Sequence, residues 1–188
     1  MPTTTIAGTI ALVLLSLGPA GLPAQDKVNP RAAVLQEFKE RVDQYMKLHN
    51  DLEKDSPPLK KTDDPAKIKA SQDALAAKLR AARAQAKPGE IFTPAVQTEF
   101  RKLLRPEMTG PDAADTKKAI KDDQPAKIAL KVNGIYPTDQ PLPTVPPQIL
   151  LSLPQLPEDL EYRIIGNHLI LRDVHANIIV DFMPRVTA

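Results

Sequence analysis

The spacing of apolar residues changes along this chain, and that change constrains the fold more than any other feature. Between residues 25 and 124 the apolar residues recur at steps of three and four, which is the period of one helix face. Between residues 160 and 182 they alternate with polar residues, which is the period of a strand with one buried face. Helices first and strands last predict an α+β fold.

Two long helices are predicted to form an antiparallel hairpin. The first begins at Pro30, because Asn29 is a good N-cap residue and proline suits the first helical position. The second runs from Pro65 to about Ala86, and the short link of residues 56–62 favours a hairpin. The first helix carries a narrow stripe of the coiled-coil type: Leu35, Phe38, Val42, Tyr45, His49 and Leu52. A two-helix hairpin buries little area, so a further helix, a second copy or a partner should cover it.

Two shorter helices are available for that cover. One is predicted to start at Thr93 and Pro94 and to end before Pro106, because proline interrupts a helix. The other lies within residues 111–121, with Ile120 as its main apolar anchor. The helical region therefore extends over residues 25–125.

Residues 126–159 are predicted to form a proline-rich connector. Alternation over residues 127–132 predicts one strand there, with Ile128, Leu130 and Val132 on its apolar face. Seven prolines lie between residues 137 and 157, which is typical of a stiff segment rather than a packed one. A short helix at residues 147–153 would turn three residues toward the sheet: Ile149, Leu150 and Leu153.

Residues 160–188 are predicted to form a three-stranded antiparallel meander with one apolar face. Gly166 and Asn167 form a dipeptide suited to a two-residue hairpin turn, because glycine readily adopts positive φ. Residues 173–177 make the second connection. Such a sheet is only marginally stable unless another element covers its apolar face.

Residues 1–24 have the layout of a secretory signal peptide. They contain no Lys, Arg, Asp or Glu, and an apolar run of about a dozen residues ends in small residues. Cleavage after Ala24 would leave an exported protein in the periplasm or outside the cell. An uncleaved anchor is the alternative, because the segment lacks the basic residues that usually open a signal. No other stretch is apolar and long enough to cross a membrane.

Composition excludes several classes of function. The chain has no cysteine, which excludes a disulfide framework, a thiolate metal site and a cysteine nucleophile. Its net charge of +2 is too small to predict a nucleic-acid partner. No nucleophile motif and no phosphate-binding glycine loop is present, so the sequence predicts no enzyme, no catalytic residue and no cofactor.

Three histidines are the only candidates for metal chemistry. His49 lies on the stripe of the first helix, where a packed and hydrogen-bonded histidine is expected. His168, His175 and Asp173 form a weak candidate metal group, because the meander could bring them together. Their places beside turns are equally typical of exposed polar residues.

The end of the chain carries a resemblance. Residues 153–163 read Leu-Pro-Gln-Leu-Pro-Glu-Asp-Leu-Glu-Tyr-Arg, 167–173 read Asn-His-Leu-Ile-Leu-Arg-Asp, and 177–181 read Asn-Ile-Ile-Val-Asp. This tail resembles small uncharacterised secreted proteins of Gram-negative bacteria. It is more distantly similar to the C-terminal module of the periplasmic nickel/cobalt homeostasis family. That resemblance implies a periplasmic location, but this chain has no His-rich segment through which a metal role would carry over.

The sequence thus predicts an exported bacterial envelope protein that is not an enzyme and that acts through protein–protein contact or self-association. The long stripe on the first helix and the lack of an evident site are its basis. A periplasmic module that binds a small ligand or a metal through His168, His175 and nearby acids is the alternative.

Overall fold

The computed structural model describes residues 1, 29–55, 63–122, 124–125 and 128–187. The predicted signal peptide, apart from Met1, and its cleavage site at Ala24 lie outside the described residues. Five helices precede three strands, which confirms the α+β fold. In chain order they are α1 (Pro30–Lys54), α2 (Pro65–Ala82), α3 (Pro94–Thr109), α4 (Ala113–Asp122), α5 (Pro147–Ser152), β1 (Leu160–Ile165), β2 (His168–Asp173) and β3 (Ile178–Pro184).

Helices α1 and α2 run antiparallel, as predicted. Lys78 donates hydrogen bonds to the carbonyls of Leu52 and Asp55 at the end of α1, whereas Arg83 lies over the Tyr45 ring nearer its middle. Four positions of the α1 stripe are buried: Phe38, Val42, Tyr45 and His49. The other two, Leu35 and Leu52, are partly buried. The stripe therefore packs into the chain's own core.

Helix α2 ends at Ala82, four residues earlier than predicted. Arg83 turns away from the helix axis, and its guanidinium donates hydrogen bonds to the Val180 carbonyl on β3 and to the Asn133 side chain. The helix thus ends where the next side chain is attached to the sheet.

Helix α3 continues through Pro106, so the prediction that it ends before this proline is wrong. Proline removes one backbone N–H donor from the helix, but Leu104 and Met108 on either side of it are buried in the core. Their packing stabilises the last turns despite the lost hydrogen bond. The predicted anchor of α4, Ile120, is buried.

The three strands form an antiparallel sheet in the order β1-β2-β3, which confirms the predicted meander. Gly166 has a φ of 59° in the first turn, as a two-residue hairpin requires. The prediction of one apolar face is wrong, because both faces are buried. One face packs against the helices, and Ile165, Ile170 and Ile179 on the other face form a second cluster with Tyr136.

The first described part of the connector, residues 128–132, covers that second face without being a strand. Residues 128–132 lie in no strand, so the predicted strand is wrong for its described part. Ile128 and Leu130 pack on the second cluster, and backbone pairing with β3 begins only after Val132, at Asn133. The alternation of apolar residues therefore reflects side chains lying on the sheet, not strand pairing.

The proline-rich connector is packed rather than free. Val145, Ile149 and Leu153 are buried in the same core as the helices and the sheet, so the two parts of the chain share one core. Leu150 is 45% exposed, so the prediction that it faces the sheet is wrong.

No helix in the described part of the chain combines the length and apolar content that crossing a membrane requires.

The side chain of Asp181 on β3 holds the loop between α2 and α3 against the sheet. Its carboxylate is fully buried and accepts hydrogen bonds from the backbone N–H groups of Gly89, Ile91 and Phe92 at 2.8–2.9 Å. The N–H groups of Ile91 and Phe92 would otherwise be buried without a partner. The sheet and the helices are thereby joined by a carboxylate as well as by the core.

Candidate metal centre

Asp173, the last residue of β2, is fully buried between the sheet and α1. Its carboxylate accepts hydrogen bonds from the Tyr45 hydroxyl at 2.6 Å and from the backbone N–H of Ala176 at 2.7 Å, and one oxygen lies 2.6 Å from Nδ1 of His49. Burial raises the pKa of Asp173, but these three hydrogen bonds outweigh it and hold the pKa below its ordinary value. The side chain is therefore an ionised acceptor at neutral pH.

His49 extends from α1 to this carboxylate and is itself fully buried. Burial lowers the pKa of His49, but the hydrogen bond and the charge of Asp173 raise it above its ordinary value. The second ring nitrogen, Nε2, is buried without a hydrogen-bond partner in the described part of the chain. A buried polar atom left unpaired costs about 1–3 kcal/mol, so it calls for a physical reason.

The side chains near Nε2 of His49 come from three parts of the chain. Glu53, one turn further along α1, places Oε2 at 3.6 Å from this nitrogen. His175, in the loop between β2 and β3, stands with its ring centroid 5.9 Å from that of His49. Asp159 directly precedes β1, and its backbone carbonyl accepts a hydrogen bond from Val174 beside His175.

The two nitrogens of His175 lie near different carboxylates. Nδ1 is 3.1 Å from Oε1 of Glu53, and Nε2 is 3.3 Å from Oδ1 of Asp159. The His175 side chain is 52% exposed, so the site opens to solvent on this side. His49 forms its buried floor.

Both histidines thus have a carboxylate at Nδ1, which is Asp173 for His49 and Glu53 for His175. Histidines that bind metals in proteins almost always donate the N–H of their other nitrogen to such a group, which fixes the tautomer and orients the ring. With Nδ1 held in this way, Nε2 is the nitrogen of each histidine that is left to bind a cation, and a cation on Nε2 of His49 would replace the proton that the raised pKa of this ring favours. The third donor at the same place is a carboxylate oxygen of Asp159.

The spacing of these donors is close to that of a metal site. One ligand atom from each of His49, Asp159 and His175 lies within 4.8 Å of the other two. Ligands about 2.1 Å from a tetrahedral Zn²⁺ stand about 3.4 Å apart, so the group must close by up to about 1.4 Å. The half-exposed His175 can supply this movement by rotating its side chain.

The sequence-predicted metal group is only partly brought together. His175 belongs to the site, and Asp173 supports it through His49. His168 stands at the opposite end of β2, against the Phe182 ring, beside a cavity of about 520 Å³ on the other face of the sheet. It is five positions along the strand from Asp173, or about 17 Å, so it cannot share an ion with His175.

Sequence reasoning missed three members of the site: Glu53, Asp159 and the free nitrogen of His49. His49 is packed and hydrogen-bonded, as expected, but only through Nδ1. Two signals pointed to the group. His49 and Glu53 are four residues apart and share a helix face, and the β1–β2 register that pairs Leu160 with Asp173 brings Asp159 near His175.

Comparison with protein-family models, with curated proteins and with solved structures finds no match to this chain. The site is therefore interpreted from its own geometry and chemistry.

Proposed function

We propose that this chain is a divalent-metal-binding protein whose ion is held by Nε2 of His49, Nε2 of His175 and a carboxylate oxygen of Asp159. The observation that supports the proposal most concerns Nε2 of His49, which among the described residues is buried without a hydrogen-bond partner and lies 3.6 Å from the Glu53 carboxylate, while Nδ1 is fixed on Asp173. A cation at this position gives the nitrogen the partner it lacks. Metal binding also provides a reason for burying a histidine in this orientation.

The donor set favours a first-row transition metal such as Zn²⁺. Two imidazoles and one carboxylate suit Zn²⁺, whereas Mg²⁺ and Ca²⁺ prefer sites made of oxygen donors. Three carboxylates face one dication, counting Asp159 with the supporting Glu53 and Asp173. Their charge favours cation entry.

We place this function outside the cytoplasm, on the strength of the signal-like sequence of residues 1–24. Contact with another protein, the function predicted from the long stripe of α1, stays a prediction. The stripe is part of the core and supplies no free surface for such contact. Exposed large apolar side chains in the described part of the chain include Leu151 on α5, which is 87% exposed, and Ile135 and Leu142.

Titration calorimetry of the metal-free full chain with Zn²⁺ tests the proposal. We expect one ion per chain with a Kd of about 1 µM or tighter, and no heat from Mg²⁺ at the same concentration. At a free Zn²⁺ concentration of 100 times the Kd, the free energy of unfolding should rise by about 2.7 kcal/mol.

Matched histidine variants identify the site. His175→Ala removes a half-exposed ligand and should weaken Zn²⁺ binding by at least about tenfold without unfolding the chain. His168→Ala is the control of the same residue type, and its Zn²⁺ affinity should equal that of the wild type. Unchanged affinity in His175→Ala, or the loss of affinity in His168→Ala, would overturn the assignment.

A further inference from the structure

The proposed ligands leave one position of a tetrahedral ion unfilled. Structural zinc sites have four protein ligands, whereas catalytic sites have three and keep a water molecule in the fourth position. The group of donors that converges in the described residues has three members, His49, Asp159 and His175. The site is therefore of the open type.

Glu53 borders the open position without being one of the three ligands. Its Oε1 faces Nδ1 of His175 at 3.1 Å, while its Oε2 lies 3.6 Å from Nε2 of His49. One carboxylate oxygen thus orients a ligand, and the other points toward the place of the ion. A carboxylate in this position can take a proton from a metal-bound water.

We propose that the metal-loaded protein hydrolyses uncharged carboxylic esters, an inference that rests on the proposed metal-binding function. The metal-bound water loses a proton to Glu53 as its oxygen forms a bond to the ester carbonyl carbon. The bond from that carbon to the alcohol oxygen then breaks, and the departing oxygen takes the proton from Glu53. One ester and one water give one carboxylic acid and one alcohol.

Charge and access define the substrate class. Asp159, Glu53 and Asp173 together outweigh a dication by one negative charge, and the ion-pair partners of these acids among the described residues are histidines. This charge repels phosphate esters and admits uncharged ones. The side chains of His175 and Glu53 are 52% and 44% exposed, so a substrate can reach the open position from solvent.

The test measures release of 4-nitrophenolate from 4-nitrophenyl acetate by the Zn²⁺-loaded full chain. Free Zn²⁺ at the same concentration and the metal-free chain serve as references. We expect many more turnovers per chain than single acetylation of its 16 lysines and its amino terminus could give, which separates catalysis from labelling of surface groups. The phosphate analogue, 4-nitrophenyl phosphate, should be hydrolysed more slowly than the acetate.

Glu53→Gln isolates the proton-transfer role. The amide oxygen can still accept the Nδ1 hydrogen of His175 but cannot take a proton from water. At Zn²⁺ concentrations that saturate the variant, we expect hydrolysis to fall by about 100-fold, while the Kd for Zn²⁺ rises by about tenfold because Glu53 also supports His175. His168→Ala should retain both the rate and the affinity.

Four results would overturn the inference. Zn²⁺ binding with no turnover above the references would remove the activity and leave the proposed function standing. Wild-type rates in Glu53→Gln would remove the role of Glu53, and a 100-fold loss of Zn²⁺ affinity in that variant would make Glu53 a fourth ligand of a closed site. Absence of Zn²⁺ binding would remove both proposals together.

Discussion

Asp173 and Asp181 are both fully buried carboxylates on the sheet, yet their partners differ in kind. Asp181 accepts three hydrogen bonds from the backbone of residues 89–92. Asp173 accepts one from the backbone at Ala176, and its other partners are the side chains of Tyr45 and His49. A backbone donor has no second function once it is paired. An imidazole has a second nitrogen, so the carboxylate that holds one nitrogen also orients the other.

The comparison indicates how a buried charge relates to function in this fold. Asp181 holds the loop between α2 and α3 against the sheet. Its partners in that loop are backbone N–H groups, which orient no further side chain. Asp173 joins α1 to the sheet and fixes the ring of His49, so that Nε2 of this ring is held at the place of the proposed ion. We therefore expect Asp181 variants to change stability alone and Asp173 variants to change metal affinity as well.

The largest expected effect is on stability in Asp181→Ala. Three backbone N–H groups lose their acceptor, and the two buried ones, of Ile91 and Phe92, cost about 1–3 kcal/mol each, so the free energy of unfolding should fall by about 2–6 kcal/mol. Urea denaturation measures this change. Asp139→Ala removes an exposed carboxylate and should change stability by less than about 0.5 kcal/mol. A loss below 1 kcal/mol in Asp181→Ala would contradict the structural role of Asp181.

A smaller effect is expected on metal affinity in Asp173→Asn. The amide oxygen can still accept the Nδ1 hydrogen of His49 but no longer carries the charge that supports the imidazole as a ligand. Zn²⁺ affinity should fall by about 10–100-fold, as measured by calorimetry. Asp181→Asn is the matched control, and its folded fraction should bind Zn²⁺ with wild-type affinity. Equal effects of the two substitutions on affinity would remove the distinction between the two carboxylates.

Tyr45→Phe should have a smaller effect again. It removes one hydrogen bond to Asp173 and leaves the other two donors in place. The free energy of unfolding should fall by about 1 kcal/mol, and Zn²⁺ affinity should change less than in Asp173→Asn. A loss of affinity as large as in Asp173→Asn would mean that Tyr45, rather than the carboxylate, positions His49.

The smallest effect concerns pH in the metal-free chain. The pKa of His49 is raised in the folded state, so its contribution to stability is full below about pH 6.5 and is lost as pH rises through the folded pKa. The pKa of Asp173 is lowered, so its contribution is lost only as pH falls below about 3.8 and through the folded pKa.

Urea denaturation of the wild type and of His49→Gln, with a chelator present, measures this contribution. The difference in unfolding free energy between the two proteins should shrink as pH rises from 6 to 9. The same measurement on Asp181→Asn serves as the comparison, because Asp181 is a buried carboxylate without a histidine partner. A constant difference between the wild type and His49→Gln over this range would show that His49 is neutral throughout.

Much of the fold could be predicted from the sequence because helix and strand periods are local. The start of α1 at Pro30, its buried stripe and the hairpin turn at Gly166 all depend on residues close together along the chain. The failures have non-local causes. Helix α3 passes Pro106 because its neighbours are held by the core, and residues 128–132 alternate because they lie on a sheet.

The sequence by itself determined the order of the elements, the turn chemistry and the inventory of three histidines without cysteine. Only the tertiary structure decided which histidine meets which acid. His49 and Asp173 are 124 residues apart, and no local pattern records that contact. It exists because burying the stripe of α1 against the sheet fixes both side chains in one place, and Glu53, Asp159 and His175 arrive there through the same packing.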